Sequence, residues 1–288
     1  MKFKIKVIAV LLFYLTAGEL LAQPSVLSSQ LERVSDHWRS EPITEDLYWH
    51  TYRGDDYFES NQSINVLELM VDHAAVSLRL AWSDSALIKT SRFAEEYGAV
   101  AAVNGSFFNT LRGGSVVFLK VNGEILTRGA APRRRYAENG GLAIDDIGQP
   151  QILARPRQGW AQSAVSTILG AGPLLLLDSQ AQHLNNDSFN RNRHPRTAVG
   201  ITADHRLLLV TVDGRAREAR GMSTPELRSL MRTLGAVSAL NLDGGGSTTM
   251  WISNRGENGI VNYPSDSLPF NRHGEREVAN ALLLVPEN

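Results

Sequence analysis

Short apolar runs separated by polar turns fill most of the chain after residue 60, a pattern typical of strands. An Asn-Gly pair at positions 122–123 lies between two such runs and predicts a hairpin, because Asn and Gly tolerate the positive φ of tight turns. The runs that predict strands are residues 63–71, 75–82, 99–103, 115–121, 124–127, 197–202, 207–212 and 278–285.

Two segments predict helices instead. Residues 85–97 fit an amphipathic helix that Gly98 ends, because glycine favours the left-handed conformation after a helix. The sequence Ser-Thr-Pro-Glu at positions 223–226 is a capping box with proline in the first turn, and it predicts a helix to about Leu234. Strands outnumber helices and no low-complexity linker divides them. The pattern predicts an α+β fold, a single domain with a mixed β-sheet core and a few packed helices.

The first residues have the pattern of a secretory signal peptide. Three lysines precede an apolar run at residues 7–15, and Ala22 ends a plausible cleavage site. The organisation predicted is therefore a signal peptide at 1–22, a polar lead-in segment at 23–60 and the main domain at 61–288. We expect an exported protein of the bacterial periplasm or the extracellular space, with no membrane span after cleavage. An uncleaved segment that acts as an anchor remains an alternative.

Composition excludes several classes of function. The net charge of −1 gives no general basis for binding nucleic acid. The absence of cysteine excludes disulfides, thiolate metal sites and a cysteine nucleophile. The sequence also lacks the G-x-S-x-G and H-E-x-x-H motifs, so serine hydrolases and zinc proteases lose their main support. An arginine run at 133–135 is interpreted as a solvated loop.

Polar clusters follow or precede apolar strands at four places, where a rigid scaffold can present reactive groups. They lie at residues 104–109, 193–196, 213–215 and 243–247. Asp213 and Asp243 each come directly after a strand. If they face each other, they could act as base and nucleophile, or could jointly hold Ca²⁺ or Mg²⁺. The alternative for each is a simple turn, since Asp-Gly favours turns.

A short internal repeat relates two of these clusters. Residues 98–104, GAVAAVN, match residues 235–241, GAVSALN, at the glycine, the asparagine and three positions between them. Each copy follows a predicted helix and precedes a loop that contains glycine. We therefore expect two similar helix-to-strand units whose strands end side by side, with Asn104 and Asn241 at matching heights.

Four motifs, in order along the chain, resemble those of the phosphodiester glycosidase family. They are NGSFFN (104–109), RTAVGITADHRLLLVTVDGR (196–215), NLDGGGSTTM (241–250) and YPSD (263–266). The resemblance covers about residues 98–285. It implies an α/β catalytic domain that hydrolyses the bond between a sugar's anomeric carbon and phosphate, in a substrate such as an N-acetylglucosamine-1-phosphodiester. Ser106 stands where a second glycine is usual in the family, which leaves the particular sugar open.

The resemblance and the chemistry together assign roles. Asp213 or Asp243 is expected to act as nucleophile or base and Arg196 to clamp the phosphate, because arginine donates bidentately to such oxygens. The main-chain N–H groups of the triple glycine could add to this anion site. The expected substrate-binding residues are Asn104, Gly244, Gly245, Ser247, Thr248, His194 and Arg215. No cofactor is certain, and a divalent cation on Asp213 or Asp243 stays possible. The expected partner is a carbohydrate phosphodiester. Two alternatives remain: hydrolysis of an ordinary glycosidic bond, and a non-catalytic protein of envelope polysaccharide binding or assembly.

Overall fold

A computed structural model describes residues 25–72, 75–129, 138–266 and 269–287. The predicted signal peptide and the arginine run at 133–135 lie outside these residues. Strands account for 41% and helices for 13% of the structure, and every strand pairing in the described residues is antiparallel. The expectation of an α/β or α+β domain with a mixed sheet was therefore wrong in its balance. The helix Thr224–Thr233 connects two strands, Arg206–Val212 and Ala236–Asn241. These two strands lie on opposite sides of the strand Arg196–Thr202 and do not pair with each other, so each pairing remains antiparallel.

The strands, in chain order, are β1 (Trp38–Pro42), β2 (Leu47–Gly54), β3 (Gln62–Met70), β4 (Val76–Trp82), β5 (Ile88–Lys89), β6 (Ala101–Asn104), β7 (Phe118–Val121), β8 (Glu124–Arg128), β9 (Gly140–Ile144), β10 (Pro150–Ala154), β11 (Thr167–Ala171), β12 (Leu174–Leu177), β13 (Gln180–Ala181), β14 (Arg196–Thr202), β15 (Arg206–Val212), β16 (Ala236–Asn241), β17 (Met250–Ile252), β18 (Glu277–Val278) and β19 (Asn280–Pro286). The helices are α1 (Val26–Val34), α2 (Thr90–Glu96), α3 (Ser188–Arg191) and α4 (Thr224–Thr233). A 3-10 turn covers Gly245–Ser247.

Three sheets enclose the main core. The largest has eight strands in the order β1-β2-β3-β15-β14-β16-β12-β13, beside a five-stranded sheet β10-β9-β11-β7-β8 and a four-stranded sheet β17-β6-β19-β4. Strands β18 and β5 form a separate two-stranded sheet. Leu209 of the largest sheet, Leu142 of the second and Leu282 of the third are buried in one apolar cluster. A single core therefore joins all three sheets.

The strand β15 shows how the sequence specifies both faces of the largest sheet. Leu207 and Leu209 point into the core between the sheets, whereas Leu208 and Val210 pack in a second cluster with residues of α1 and α4. A strand buried on both faces has a continuous apolar sequence rather than an alternating one. That is the pattern of RLLLVTV at residues 206–212.

Helix α4 begins as its sequence predicts. The Ser223 hydroxyl accepts from the Glu226 backbone N–H, and the Glu226 side chain accepts from the Ser223 backbone N–H, which completes the capping box. The other predicted helix is shorter than expected. Helix α2 begins at Thr90, because the residues before it include β5, which pairs with β18. No helix in the described ranges is long and apolar enough to cross a lipid bilayer.

The segment expected to be a lead-in contributes to the largest sheet. Strand β1 pairs with β2, and β2 pairs with β3. Helix α1 packs in the second apolar cluster, on one face of these strands. The buried Glu68 carboxylate on β3 accepts from Ser25, at 2.6 Å, and contacts His50 at 2.9 Å. It also forms an ion pair with Arg206 at the start of β15. This network fixes the start of α1 to the back of the sheet.

Candidate active site

The ends of three neighbouring strands meet at one edge of the largest sheet. Arg196 at the start of β14 pairs with Val212 at the end of β15, and Ala198 pairs with Asn241 at the end of β16. The loops at 193–196, 213–215 and 243–247 therefore lie together, as antiparallel pairing requires. The end of β6, in another sheet, adds Asn104, whose side-chain Nδ2 donates to the Asp243 backbone oxygen at 2.8 Å.

The triple glycine allows these loops to approach each other closely. A Cβ on Gly244 would lie 2.6 Å from the Pro195 backbone oxygen, and one on Gly246 would lie 2.1 Å from Asp266 Oδ1. The Gly244 N–H donates to Asp243 Oδ1 at 3.0 Å and the Gly245 N–H donates to the Pro195 oxygen at 2.9 Å. Two of the three N–H groups expected to form an anion site are therefore bonded within the protein. The glycines serve close packing at these positions.

Asp243 is the partly exposed carboxylate of the site. It follows β16 directly and is only partly buried, whereas the residues on both sides of its loop are buried. Burial raises the pKa of Asp243 to about 6, while the Ser247 hydroxyl, the Gly244 N–H and the Arg276 charge act in the opposite direction. A carboxylate with a raised pKa that reaches the surface at converging strand ends is suited to nucleophilic or proton-transfer chemistry.

Asp213 has a different environment. Its carboxylate is completely buried and accepts from the Ser63 hydroxyl at 2.6 Å, the Tyr263 N–H at 2.8 Å and Asn262 Nδ2 at 3.0 Å. Burial raises the pKa of Asp213 to about 6, and these three donors act against that shift. Asn262 Nδ2 also donates to the Thr248 backbone oxygen at 3.0 Å. Asp213 thus connects β3, β15 and the loop after the glycines.

Arg196 is enclosed by backbone oxygens. Its Nε donates to Met222 O at 2.9 Å, and its Nη2 donates to Phe189 O at 2.6 Å and to Asn192 O at 3.2 Å. Its guanidinium carbon also lies 4.7 Å from the centroid of the Phe189 ring. Burial, together with the charge of Arg215, lowers the pKa of Arg196 to about 10. In this geometry Arg196 holds the loops around α3 together, and its Nε and Nη2 donors are used within the protein.

Two other arginines lie against the glycine loop. A Cβ on Gly245 would lie 2.9 Å from Arg215 Nη2, and one on Gly246 would lie 2.2 Å from Arg276 Nη2. Arg215 is exposed and has a φ of 63°, a left-handed conformation that is unfavourable for arginine and is typical of functional sites. Arg276 forms a bidentate ion pair with Asp266, at 2.6 and 2.9 Å. Arg215 therefore places a positive charge against the loop that carries Asp243, whereas the charge of Arg276 is paired with Asp266.

The other residues expected to bind substrate include some that hold the loops in place and some that line the site. Asn104 Oδ1 accepts from the Thr197 hydroxyl at 2.7 Å and from the Thr249 N–H at 3.1 Å, so its amide is bonded within the protein on both sides. His194 is half-buried, and burial with the charges of Arg196 and Arg215 lowers its pKa, which favours a neutral imidazole. Ser247 and Thr248 are buried in the glycine loop.

Several buried polar atoms beside Asn104 and the glycine loop have no hydrogen-bond partner among the described residues. They are Ser106 Oγ, Thr248 Oγ1, Thr249 Oγ1 and Asn280 Nδ2. Unpaired buried polar atoms are uncommon in folded proteins, and a cluster of them is typical of a binding or catalytic centre. Asn280 positions Ser106, because its Oδ1 accepts from the Ser106 N–H at 2.6 Å.

The sequence reasoning did not identify Asn262, Arg276 and Asn280 as site residues. Asn262 directly precedes the YPSD motif, so its position next to a recognised motif was an available signal. Arg276 and Asn280 reach the site from the last part of the chain through β18 and β19, and no local motif marks them.

A divalent cation on Asp213 or Asp243 stays a prediction. At Asp213, Oδ1 accepts from Asn262 and Tyr263 and Oδ2 accepts from Ser63, so a cation would have to use the remaining lone pair of Oδ2. Within the described ranges, no group of three or more His, Asp or Glu side chains surrounds a common point.

Comparison with solved structures shows the fold. The structure superposes on the zebrafish N-acetylglucosamine-1-phosphodiester alpha-N-acetylglucosaminidase catalytic domain, auto-inhibited by its pro-peptide, with a TM-score of 0.66 and 19% identity over 88% of this chain and 85% of that chain. A hypothetical protein from Synechocystis gives a TM-score of 0.67 and 15% identity, over 86% of this chain and 63% of that chain.

The sequence comparison defines the family. The mouse N-acetylglucosamine-1-phosphodiester alpha-N-acetylglucosaminidase is 26% identical over 181 residues, which cover 59% of this chain. The match spans about a third, 34%, of that relative's length. The sequence model of the phosphodiester glycosidases matches residues 97–285, and the chain belongs to this family. The resemblance carried by the four sequence motifs is confirmed.

Proposed function

We propose that this protein is an exported hydrolase that cleaves the bond between a sugar's anomeric carbon and phosphate in a glycosyl phosphodiester, with an N-acetylglucosamine-1-phosphodiester-like substrate. The observation that carries the proposal is the position of Asp243, a partly exposed carboxylate beside two arginines at converging strand ends. The activity named for the mouse relative supports the substrate class.

The proposed reaction uses the ionised Asp243 carboxylate. It attacks the anomeric carbon or removes a proton from the attacking water, and the bond from that carbon to the phosphate oxygen breaks. The bonding electrons leave with the phosphate, which becomes a monoester. If Asp243 attacks, a glycosyl ester forms on its carboxylate, and water then hydrolyses this ester, which frees the carboxylate, supplies the anomeric hydroxyl and releases one proton to solvent. If Asp243 acts as the base, the attacking water supplies the anomeric hydroxyl and gives its other proton to the carboxylate, which passes it to solvent. Phosphate is a good leaving group, so the demand for a general acid is small.

Arg215 has the chemistry to bind the phosphate, whereas Arg276 gives its Nε and Nη2 donors to Asp266. The leaving group gains negative charge during the reaction, and guanidinium groups bind such oxygens through paired, always-charged donors. This assignment replaces Arg196, whose donors are bonded to backbone oxygens. Asp213 and Asn104 then act as positioning residues that fix the glycine loop.

Export is part of the proposal. The three lysines, the apolar run at 7–15 and the small residues before Ala22 support a signal peptide, and the absence of cysteine is compatible with a bacterial periplasm. Fractionation of cells that express the full chain, with N-terminal sequencing of the exported form, tests it. Protein found only in the cytoplasm with Met1 retained would contradict it.

The test of the chemistry is hydrolysis of an N-acetylglucosamine-1-phosphate diester in water enriched in ¹⁸O. The proposal expects the label in the anomeric hydroxyl of the sugar. Label in the phosphate would show cleavage of the P–O bond and would overturn it. Turnover of an aryl glycoside alone would favour an ordinary glycosidase. Sugar binding without turnover of either substrate would favour polysaccharide binding or assembly.

Asp146→Asn, a change in an exposed turn, is the control for Asp243→Asn.

A further inference from the structure

An arginine and aromatic cluster lies next to the candidate active site. It consists of Arg53, Tyr263, Phe270 and Arg272. The Tyr263 and Phe270 rings are stacked, with centroids 4.0 Å apart and planes 8° from parallel. The guanidinium carbons of Arg53 and Arg272 lie 4.7 and 5.3 Å from the centroid of the Tyr263 ring. We call this group the arginine platform.

The platform is joined to the residues that position Asp243. The Tyr263 N–H donates to Asp213, and the preceding residue, Asn262, bonds to the backbone of the glycine loop. On the other side of Tyr263, the Ser265 hydroxyl lies 3.4 Å from Arg215 Nη1. A ligand that leaves the glycine loop past Arg215 therefore meets the platform next.

The two arginines of the platform have no ion-pair partner in the described residues, although the charge of Arg53 acts on the buried Asp213 and lowers its pKa against the effect of burial. No carboxylate in the part of the chain that the structure describes lies within ion-pair distance of Arg53 or Arg272. Arg272 Nε is also buried without a hydrogen-bond acceptor in those residues. By contrast, Arg193 and Arg276 each have a bidentate carboxylate partner. Two unpaired guanidinium groups beside one ring attract an anion.

The geometry of the rings indicates which kind of anion. Phe270 already stacks on Tyr263, and the two arginines lie against the same ring, so its surface is largely used within the protein. A ligand then meets the N–H groups of the guanidiniums rather than an open aromatic face. Phosphate oxygens match these donors through paired hydrogen bonds.

We infer that the arginine platform is an acceptor-side subsite that binds a second phosphate of the substrate. The substrate class is then an oligomeric or polymeric glycosyl phosphodiester, in which sugars alternate with phosphates, rather than a molecule with a single diester. This inference rests on the proposed function. It adds that the protein recognises the chain on the far side of the bond that is cleaved.

The experiment compares two synthetic substrates that carry the same terminal sugar, one with a single phosphodiester and one with three. For the unaltered protein we expect a KM for the longer substrate about tenfold lower, as one or two charge-assisted contacts would give. Added salt should reduce this difference, because it screens the exposed charges. In Arg53→Gln and Arg272→Gln the ratio of the two KM values should approach one.

Control variants distinguish the subsite from general effects. Arg79→Gln removes another exposed arginine, on β4 away from the platform, and should keep the ratio of the unaltered protein. Arg53→Lys keeps the charge without the paired donors and should give an intermediate ratio. Equal KM values for both substrates in the unaltered protein, or a ratio that survives in both glutamine variants, would overturn the inference. If neither substrate is hydrolysed, the proposed function itself fails.

Discussion

Asn104 Nδ2 donates to the backbone oxygen of Asp243 at 2.8 Å, which connects the end of one sheet to the glycine loop of another. The same amide accepts from Thr197 and from the backbone of Thr249. A single buried side chain therefore fixes the position of the Asp243 loop relative to β6 and β14.

Asn104→Ala should impair both stability and activity. It leaves the Asp243 oxygen and the Thr249 N–H without their partners, and each unpaired buried group costs about 1–3 kcal/mol. Urea unfolding should show a decrease of that order in the free energy of unfolding, and kcat should fall. A variant with full activity and reduced stability would show that the position of the loop does not depend on Asn104.

The activity should depend on pH through Asp243. Burial raises the pKa of this carboxyl to about 6, and the proposed role needs the ionised form. The value of kcat/KM should therefore fall about tenfold per pH unit below about 6 and level off above it. Asp243→Asn should reduce kcat by about 10²-fold or more. A profile that falls as pH rises through 6 would instead make Asp243 a proton donor.

Asp213 should affect stability rather than chemistry. Its pKa of about 6 in the folded protein is above the ordinary 3.8, so the folded state holds this proton more tightly than the unfolded state. The free energy of unfolding should therefore decrease as pH rises from about 4 to about 6, by about 3 kcal/mol at most from this group. Unfolding by urea across this range should show a smaller slope in Asp213→Asn. The control variant Asp146→Asn should keep the original slope.

Arg196 and Arg215 should give opposite results. Arg196→Gln removes buried charge-assisted bonds to three backbone oxygens and should reduce the free energy of unfolding by about 3 kcal/mol. Arg215→Gln should leave the melting temperature nearly unchanged and raise KM about tenfold, because this exposed guanidinium is available to phosphate. If Arg196→Gln were stable and had a much higher KM, Arg196 rather than Arg215 would be the residue that binds the phosphate.

Gly244→Ala should impair the site more than it impairs the fold. Its Cβ would lie 2.6 Å from the Pro195 oxygen, so the glycine loop has to move. Gly98→Ala is the matched control, since Gly98 has a φ of 63° with open space around it and its substitution costs stability alone. At equal melting temperatures, Gly244→Ala should have the lower kcat. Equal kcat values in the two variants would show that the packing of the loop is not critical.

The sequence predicted local features better than their assembly. The capping box at Ser223 and Glu226 was correct because it depends on neighbouring residues alone. The pairing of β14 with β16 was not predictable, because β15 and α4 lie between these strands in sequence and no local pattern shows on which side of β14 the next strand will pair. The sequence also did not predict that β1 and β2 belong to the largest sheet. The polar alternation of β1 reflects an edge strand, which resembles a surface segment.

The sequence predicted which chain positions lie together at the strand ends, but not the contacts that each side chain makes there. Motifs at strand ends located Asp213, Arg196 and Asp243, but an acidic or basic residue in a motif can either bind a ligand or brace a loop. The distinction depends on which donors and acceptors surround the side chain in three dimensions, such as the carbonyls around Arg196. Arg276 lies 33 positions after Asp243 in the numbering and has no motif, so only the fold brings it to the glycine loop.

Because Ser25 is buried against Glu68, the position of this contact determines where a label or a solid support attached before Ser25 would lie. Glu68 pairs with Arg206 at the start of β15, and Asp213 follows the other end of that strand, roughly 20 Å away at the usual rise per residue. A dye, a bead or a fused partner placed before Ser25 would therefore be held at the opposite end of the sheet from Asp243. Immobilised protein prepared in this way should keep its site open to long substrates, which suits it to surface-based binding measurements.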